Sequence, residues 1–390
     1  MPEFFAPCPR GLEAVLLSDL TALGAQNARA TEGGVEFSGD WALCYRANLE
    51  SRIASRILWR VAETQYRNEQ DIYKAAFELQ WQRWFDVTNT IRVNTTAIRC
   101  PLKSLEFITL RIKDAVCDRF RAERGRRPNV DTRSPDVRIA AFLDARNVTV
   151  YLDTSGEPLY KRGYRAERGE APLKENLAAG ILALTGWDTE EPLFDPMCGS
   201  GTFLIEAAMM ALRIPPGAGR GFGFERLLAH DPKLWRALRE AATGAHQKQR
   251  ALPVFGADVS GKELRLAHQN LKAAGLDRAV ELRKTDVLEV SAPAPFGTMV
   301  LNPPYGVRIG ERKAMAEFYP QLGSALKNRF AGWRCYILSA DPDLPRLIRL
   351  KATKRTPLFN GPLECRLYEY RVIAGSMRRT PRKEDGSTSA

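Results

Sequence analysis

The chain has 390 residues, 44% of them hydrophobic, which is enough for two or three domains with cores of their own. Lys plus Arg number 58 against 46 Asp plus Glu; the formal charge of +12 favours a polyanionic partner, nucleic acid ahead of an acidic membrane surface. No apolar run reaches the ~18 residues of a membrane span, and the start MPEFFAPCPRGLEAVLL lacks the basic stretch and cleavage site of an export signal, so a cytoplasmic protein is expected.

In chain order, residues 4–5 begin a strand, and 11–23 carry helical spacing through Leu12, Val15, Leu16 and Leu20, ending at Gly24. Gly33-Gly34 turn into a strand at 35–37, and a helix is expected from Asp40 through Arg56. These residues, 1–60, read as a small α+β unit. Over 61–155 the texture changes to a strand at 91–94, an amphipathic helix at 105–124 and a hairpin pairing 137–142 with 148–152. Trp81, Trp84 and Phe85 fall at helical spacing and are expected in the core. A polar, basic stretch within 156–172 reads as a linker.

From 173 to 375 helices and strands alternate: 173–185, 193–194, 203–212, 254–255, 262–274, 280–283, 299–301, 318–330 and 335–338. That alternation calls for an α/β doubly wound, Rossmann-like parallel sheet. Strands at 355–359 and 366–372 flank Asn360-Gly361-Pro362 and predict an antiparallel hairpin closing it. Residues 376–390 are polar and expected to be disordered.

Two motifs carry chemistry. Asp195-Pro196-Met197-Cys198-Gly199-Ser200-Gly201-Thr202 sits between a strand and a helix, the setting of a Gly-rich cofactor loop. Gly199 and Gly201 permit a tight turn and close approach to a ligand, and the following helix start offers free N–H groups to a carboxylate. The pattern is neither G-x-G-x-x-G nor a P-loop. Asn302-Pro303-Pro304-Tyr305-Gly306 follows the apolar run Met299-Val300-Leu301. An Asn oxygen and a neighbouring carbonyl can accept both N–H bonds of a base's exocyclic amine and favour a tetrahedral nitrogen; two prolines stiffen the turn, and Tyr305 offers a stacking face. Together the motifs point to an S-adenosylmethionine-dependent methyltransferase acting on an amino group of a planar base. Asp258, ending a second strand, is placed to hold ribose hydroxyls, although it lies far beyond the roughly 20 residues usual for such an acid; an insertion at 215–250 accounts for the delay, and a plain helix cap is the alternative. Asp286 is the candidate for the adenine amine, with a loop Asp as its alternative. Only His230, His246 and His268 occur, and the seven Cys show no CxxC pair, so no metal and no disulfide is expected.

The segments LYKRGYR, APLKENLAAGIL, DPMCGSGTFLIEAA, GADVS, KTDVL and NPPYG, with FFAPCPRGLEAVLLSDLTALGA, GGVEFSGD and RPNVDTRSPDVRI upstream, resemble the bacterial 23S ribosomal RNA guanine-N2 methyltransferases that carry a THUMP domain. The resemblance implies a ferredoxin-like region at 1–60, a THUMP RNA-binding domain at 61–155 and a class I methyltransferase domain at 173–375. It places Asp195, Met197, Gly199, Ser200, Gly201 and Thr202 at the cofactor, Asp258 on its ribose, Asp286 on its adenine, and Asn302, Pro303, Pro304 and Tyr305 on the target guanine. Lys174-Glu175-Asn176 resembles the segment covering the cofactor's methionine end. Some relatives carry a second methyltransferase unit, for which nothing up to residue 390 offers a counterpart.

Arg119, Arg121, Arg124, Arg126 and Arg127 gather at a predicted helix end near Arg133 and Arg138, a candidate grip on RNA phosphates. Arg162, Arg165 and Arg168 in the linker could guide RNA toward the pocket. The expectation is guanine-N2 methylation of large-subunit ribosomal RNA or its precursor particle. DNA adenine-N6 methylation and a non-catalytic assembly factor are the competing readings. The oligomeric state is not legible.

Overall fold

Period-two burial builds the first sheet. In β1 (Glu3–Pro7) Phe4 and Ala6 are buried, and in β6 (Val137–Leu143) Val137, Ile139, Ala141 and Leu143 all face inward. The computed structural model describes residues 1–165, 173–304 and 309–373. Between β1 and β6 come α1 (Glu13–Ala22), β2 (Gln26–Thr31), β3 (Gly34–Ser38), α2 (Trp41–Glu50), β4 (Leu58–Gln65), α3 (Glu69–Glu78), β5 (Ile91–Ala97) and α4 (Leu105–Arg124); β7 (Asn147–Asp153) follows. They form one seven-stranded sheet of order β2-β3-β1-β4-β7-β6-β5.

The seam lies at β4. Trp59 pairs with Phe4 of β1 on one side and with Leu152 of β7 on the other. The sheet therefore runs unbroken across the position where two separate units are expected. The second helix ends at Glu50 rather than Arg56. Ser51 leaves the helix in an extended conformation, and its hydroxyl accepts from the Ala54 amide and donates to Asp19, so a bonded loop replaces the last predicted turns.

The second sheet has the order β10-β9-β8-β11-β12-β14-β13. Its members are β8 (Leu193–Asp195), β9 (Val254–Asp258), β10 (Glu281–Lys284), β11 (Gly297–Leu301), β12 (Trp333–Ser339), β13 (Lys354–Asn360) and β14 (Leu363–Arg371). The first five are parallel, and β14 inserts antiparallel between β12 and β13. That is the doubly wound sheet with a closing hairpin. Its helices are α5 (Glu175–Thr185), α6 (Thr202–Ala211), α7 (Pro232–Gly244), α8 (Gly261–Ala273), α9 (Ile309–Arg329) and the single turn α10 (Leu344–Leu347).

The segment 215–250 folds back onto the first sheet's unit. Phe224 stacks on Tyr45 of α2 at 4.4 Å, and Trp235 of α7 meets the same ring edge-on at 6.0 Å. Leu12, Leu16 and Leu20 share one buried cluster with Leu177, Ile181, Phe203 and Leu204 of the catalytic half. Trp81 and Phe85 lie in a second core between α4 and the first sheet, and Trp84 packs against it half-buried, as their spacing predicts. Among the described residues no helix is long and apolar enough to cross a membrane.

Candidate active site

The strand order reverses around β8: β9 and β10 extend to one side of it, β11 and β12 to the other. In open parallel sheets ligands bind beyond the carboxyl ends of the strands at such a point. Asp195 ends β8, Asp258 ends β9, Asp286 lies two residues past β10, and Asn302 follows β11 directly. Residues as far apart in the chain as Asp195 and Asn302 thus converge on one rim.

The 195–202 loop is held by its own backbone and by two neighbours. Gly199 and Gly201 adopt φ of +50° and +84°, the left-handed region where a side chain is strained. The Gly201 amide donates to the Cys198 carbonyl at 2.8 Å, the Cys198 amide donates to Ala257 at 2.9 Å, and Asn270 of α8 donates to the Ser200 carbonyl at 3.0 Å. Asp258 does not cap α8; Ser260 holds that position. Its carboxylate accepts instead from the Gly199 amide at 2.9 Å and the Ser260 amide at 2.8 Å, which ties the two loops together. Asp286 accepts from the Leu288 amide at 2.9 Å.

Asp195 is the electrostatic oddity of the site. It is 2% exposed and accepts one hydrogen bond, from the Met197 amide at 3.1 Å. Burial pushes its carboxyl up to about 8; the Met197 amide opposes this and the Asp258 charge adds to it. A buried carboxyl in this state suits a ligand that brings an ammonium group. The methionine end of S-adenosylmethionine does so, and its carboxylate matches the uncapped start of α6, so the residues fit that cofactor. The Cys198 thiol is raised by burial, with Asp195 and Asp258 adding to the shift, and stays protonated rather than nucleophilic. Met197 packs half-buried against the sheet core.

Pro303 is buried and Pro304 exposed, so the turn leaves β11 with one ring anchored and the other at the surface; Tyr305 and Arg168 lie outside the described residues. Lys174 precedes α5 with its ammonium over the Tyr160 ring at 5.0 Å. Asn176 turns away from the loop, donating to Ile53 and Ser55 of the N-terminal unit.

Two of the predicted RNA contacts require correction. The Arg162 side chain is 1% exposed and pairs with Glu206, itself 0% exposed, while donating to the Leu159 and Arg52 carbonyls. Arg165 is also enclosed, bonded to Glu175, Leu173 and Thr202. Neither guanidinium is presented to a phosphate. The described part of the polar segment before α5, up to residue 165, is packed: Leu159 and Tyr164 are buried as well. Sequence reasoning missed Glu206 and Glu175 as partners. A lone Glu amid the apolar run Phe203-Leu204-Ile205 and Ala207-Ala208 was the available signal.

Arg124, the last residue of α4, and Arg126 and Arg127, just past the left-handed Gly125 cap, are exposed. Arg119 is half-enclosed, bridged to Glu123 with its guanidinium 5.7 Å from the Phe77 ring. Among the described residues no cluster of His, Cys, Asp and Glu is arranged to hold a metal.

Comparison with known proteins adds to this geometry. Residues 162–369 match the model of the RMKL-like methyltransferase domain, 66–153 that of the THUMP domain and 3–58 that of the RlmL ferredoxin-like domain. The chain is 42% identical to the ribosomal RNA large subunit methyltransferase K/L of Aeromonas salmonicida, over 97% of itself and 55% of that protein. It thus spans about half the length of the curated K/L relatives it matches. A Synechocystis protein named provisionally as an RNA methyltransferase, slr0064, is 37% identical over 95% of this chain and 96% of its own. The crystal structure of SMU.472, assigned provisionally as a methyltransferase and complexed with SAH, superposes with a TM-score of 0.87 at 30% identity, covering 96% and 99% of the two chains. A Listeria monocytogenes protein described by prediction as an N6-adenine-specific DNA methylase does so with 0.86 at 28% identity, covering 95% and 96%.

Proposed function

The chain belongs to the family of RMKL-like methyltransferase domains and is a methyltransferase whose cofactor is S-adenosylmethionine; we propose that it methylates the exocyclic N2 of a guanine in large-subunit (23S) ribosomal RNA. The observation that carries this reading is the position of Asn302-Pro303-Pro304 at the end of β11, beside the β8 loop across the reversal of strand order. When bound, the cofactor supplies a methyl group on a sulfonium centre. The Asn302 oxygen and the Pro303 carbonyl accept the two N–H bonds of the target amine and hold it in line, and Tyr305 stacks against the base. Asp195 receives the cofactor's ammonium, the first turn of α6 its carboxylate, Asp258 its ribose and Asp286 its adenine. No strong general base is needed, because the nitrogen becomes acidic as it is alkylated. The RNA side of the reading is supported by the THUMP match and by exposed Arg124, Arg126 and Arg127.

A second reading, N6 methylation of adenine in DNA, is favoured by the description of the Listeria protein, since the same turn suits either amine. The deciding experiment is transfer of labelled methyl to 23S ribosomal RNA and to duplex DNA, followed by nucleoside analysis. N2-methylguanosine in RNA supports the first reading. N6-methyladenine in DNA replaces it with the second.

A further inference from the structure

Arg165 stands at a junction that the reaction itself does not explain. Its Nε donates to the Glu175 carboxylate at 2.6 Å, and one terminal nitrogen donates both to the Leu173 carbonyl at 2.7 Å and to Thr202 Oγ1 at 2.9 Å. Glu175 is the first residue of α5 and Thr202 the first residue of α6. One planar guanidinium therefore spans the opening turns of two helices that pack on each other. Among the described residues neither helix start is closed by a side-chain cap. The side chain of Arg165 is 15% exposed and that of Glu175 6%, which removes the pair from any RNA path.

Two consequences follow from the donors. Arginine has no acceptor, so Thr202 Oγ1 is the acceptor in its bond and keeps its own hydrogen for donation elsewhere. The fork also fixes the separation of α5 and α6, a task that the single point charge of a lysine cannot perform. Burial raises the Glu175 carboxyl, and the Arg165 charge opposes that rise and favours the ionised pair.

We propose that Arg165 is a positioning residue for the cofactor: bridging Glu175 and Thr202, it sets the spacing of the two helix starts and leaves the Thr202 hydroxyl to donate to the cofactor's carboxylate. The inference rests on the reading of residues 195–202 as the cofactor loop.

The test uses the intact chain and S-adenosylhomocysteine titrated by calorimetry. Arg165→Gln should raise its Kd by about tenfold to a hundredfold, the range for losing a charge-assisted hydrogen bond. Arg165→Lys should not restore it. Thr202→Val removes the same bond from its other end, carries the test if the arginine variant fails to fold, and should lose affinity on its own. The Arg165→Gln/Thr202→Val double variant should be little worse than either single one, since residues sharing one interaction do not add. RNA affinity and its salt slope should stay within about twofold of wild type. Wild-type cofactor affinity in Thr202→Val or in folded Arg165→Gln overturns the proposal. So does strict additivity, or a salt slope lowered by about one phosphate contact with cofactor affinity intact, which would return Arg165 to the RNA grip. A wild-type chain that binds no S-adenosylhomocysteine overturns the reading of the loop, and the inference with it.

Discussion

Asp195→Asn should strengthen the fold while weakening the function, and the size of each effect follows from the burial of that carboxyl. An ordinary Asp titrates at 3.8, whereas in the folded chain burial raises Asp195 to about 8. The native state thus binds more protons than the unfolded state between these values. The stability associated with Asp195 is fully present below about pH 4 and is lost as pH rises toward 8. At pH 7 the loss amounts to about 4 kcal/mol as an upper figure. Asn is nearly isosteric and carries no charge, so the variant escapes this loss. Its stability relative to wild type, from urea unfolding of the cofactor-free chain, should rise by about 3–4 kcal/mol between pH 5 and pH 8. Cofactor affinity should move the other way, weakening by on the order of a hundredfold, because a carboxylate facing an ammonium is replaced by a neutral amide. Calorimetry of wild type at pH 7 in buffers of different ionisation enthalpy should show release of most of one proton as Asp195 ionises on binding. A variant that is less stable than wild type at pH 8, or whose stability difference ignores pH, would refute the account of Asp195 as a strained, ligand-awaiting carboxyl.

The remaining predictions use the other parts of the site. Asn302→Ala should leave cofactor affinity within a few-fold and cut turnover by about 10²–10³, the range for one oriented transition-state partner; near-normal turnover removes Asn302 from the reaction. Gly201→Val places a Cβ 3.3 Å from that of Ala267 at φ +84°, and Gly199→Val strains a φ of +50°; both should abolish cofactor binding in a folded chain, checked by calorimetry beside circular dichroism. Replacing Arg124, Arg126 and Arg127 together with Ala should weaken RNA binding and flatten its salt slope by up to about three phosphate contacts, with cofactor affinity unchanged. An unchanged slope would make these arginines a solvated surface only.

The catalytic half was the more legible part of the sequence. Its inner parallel strands β8, β11 and β12 are largely buried and stand out as short apolar runs, such as Gly297–Leu301 before Asn302, whereas the edge strand β10 is polar and exposed. The motif residues fall at strand ends, and a strand followed by Gly-rich turn chemistry identifies its own carboxyl end. The N-terminal half gave weaker signals. β2 is Gln26–Thr31, polar and mostly exposed, so no alternation marks it. β4 begins buried and becomes steadily more exposed along its length: β1 flanks it only over Leu58–Arg60, and beyond that only β7 pairs with it. Such a seam strand lacks the period-two pattern that sequence reading depends on. Arg162 and Arg165 depart from their expected role for a different reason. A buried ion pair and an exposed basic stretch have the same local composition, and only the partner, Glu206 for Arg162, distinguishes them.

That partner also bears on how RNA binding must be measured. Arg52 donates to the Met209 and Ile214 carbonyls of the catalytic half, Asn176 donates back to Ile53 and Ser55, and Arg162 joins the Arg52 carbonyl to Glu206. Leu12 lies so close to Gly180 of α5 that an added Cβ would meet its side chain at 2.2 Å. A fragment ending near residue 160 would expose the apolar face of α1, with Leu12, Leu16 and Leu20, to water and trade these hydrogen bonds for solvent, which weakens the fold chiefly through the lost apolar burial. Loss of RNA binding in that fragment would then report unfolding rather than the absence of a phosphate grip. The exposed arginines at the end of α4 can be removed without touching this interface, so the triple variant in the full chain separates the two.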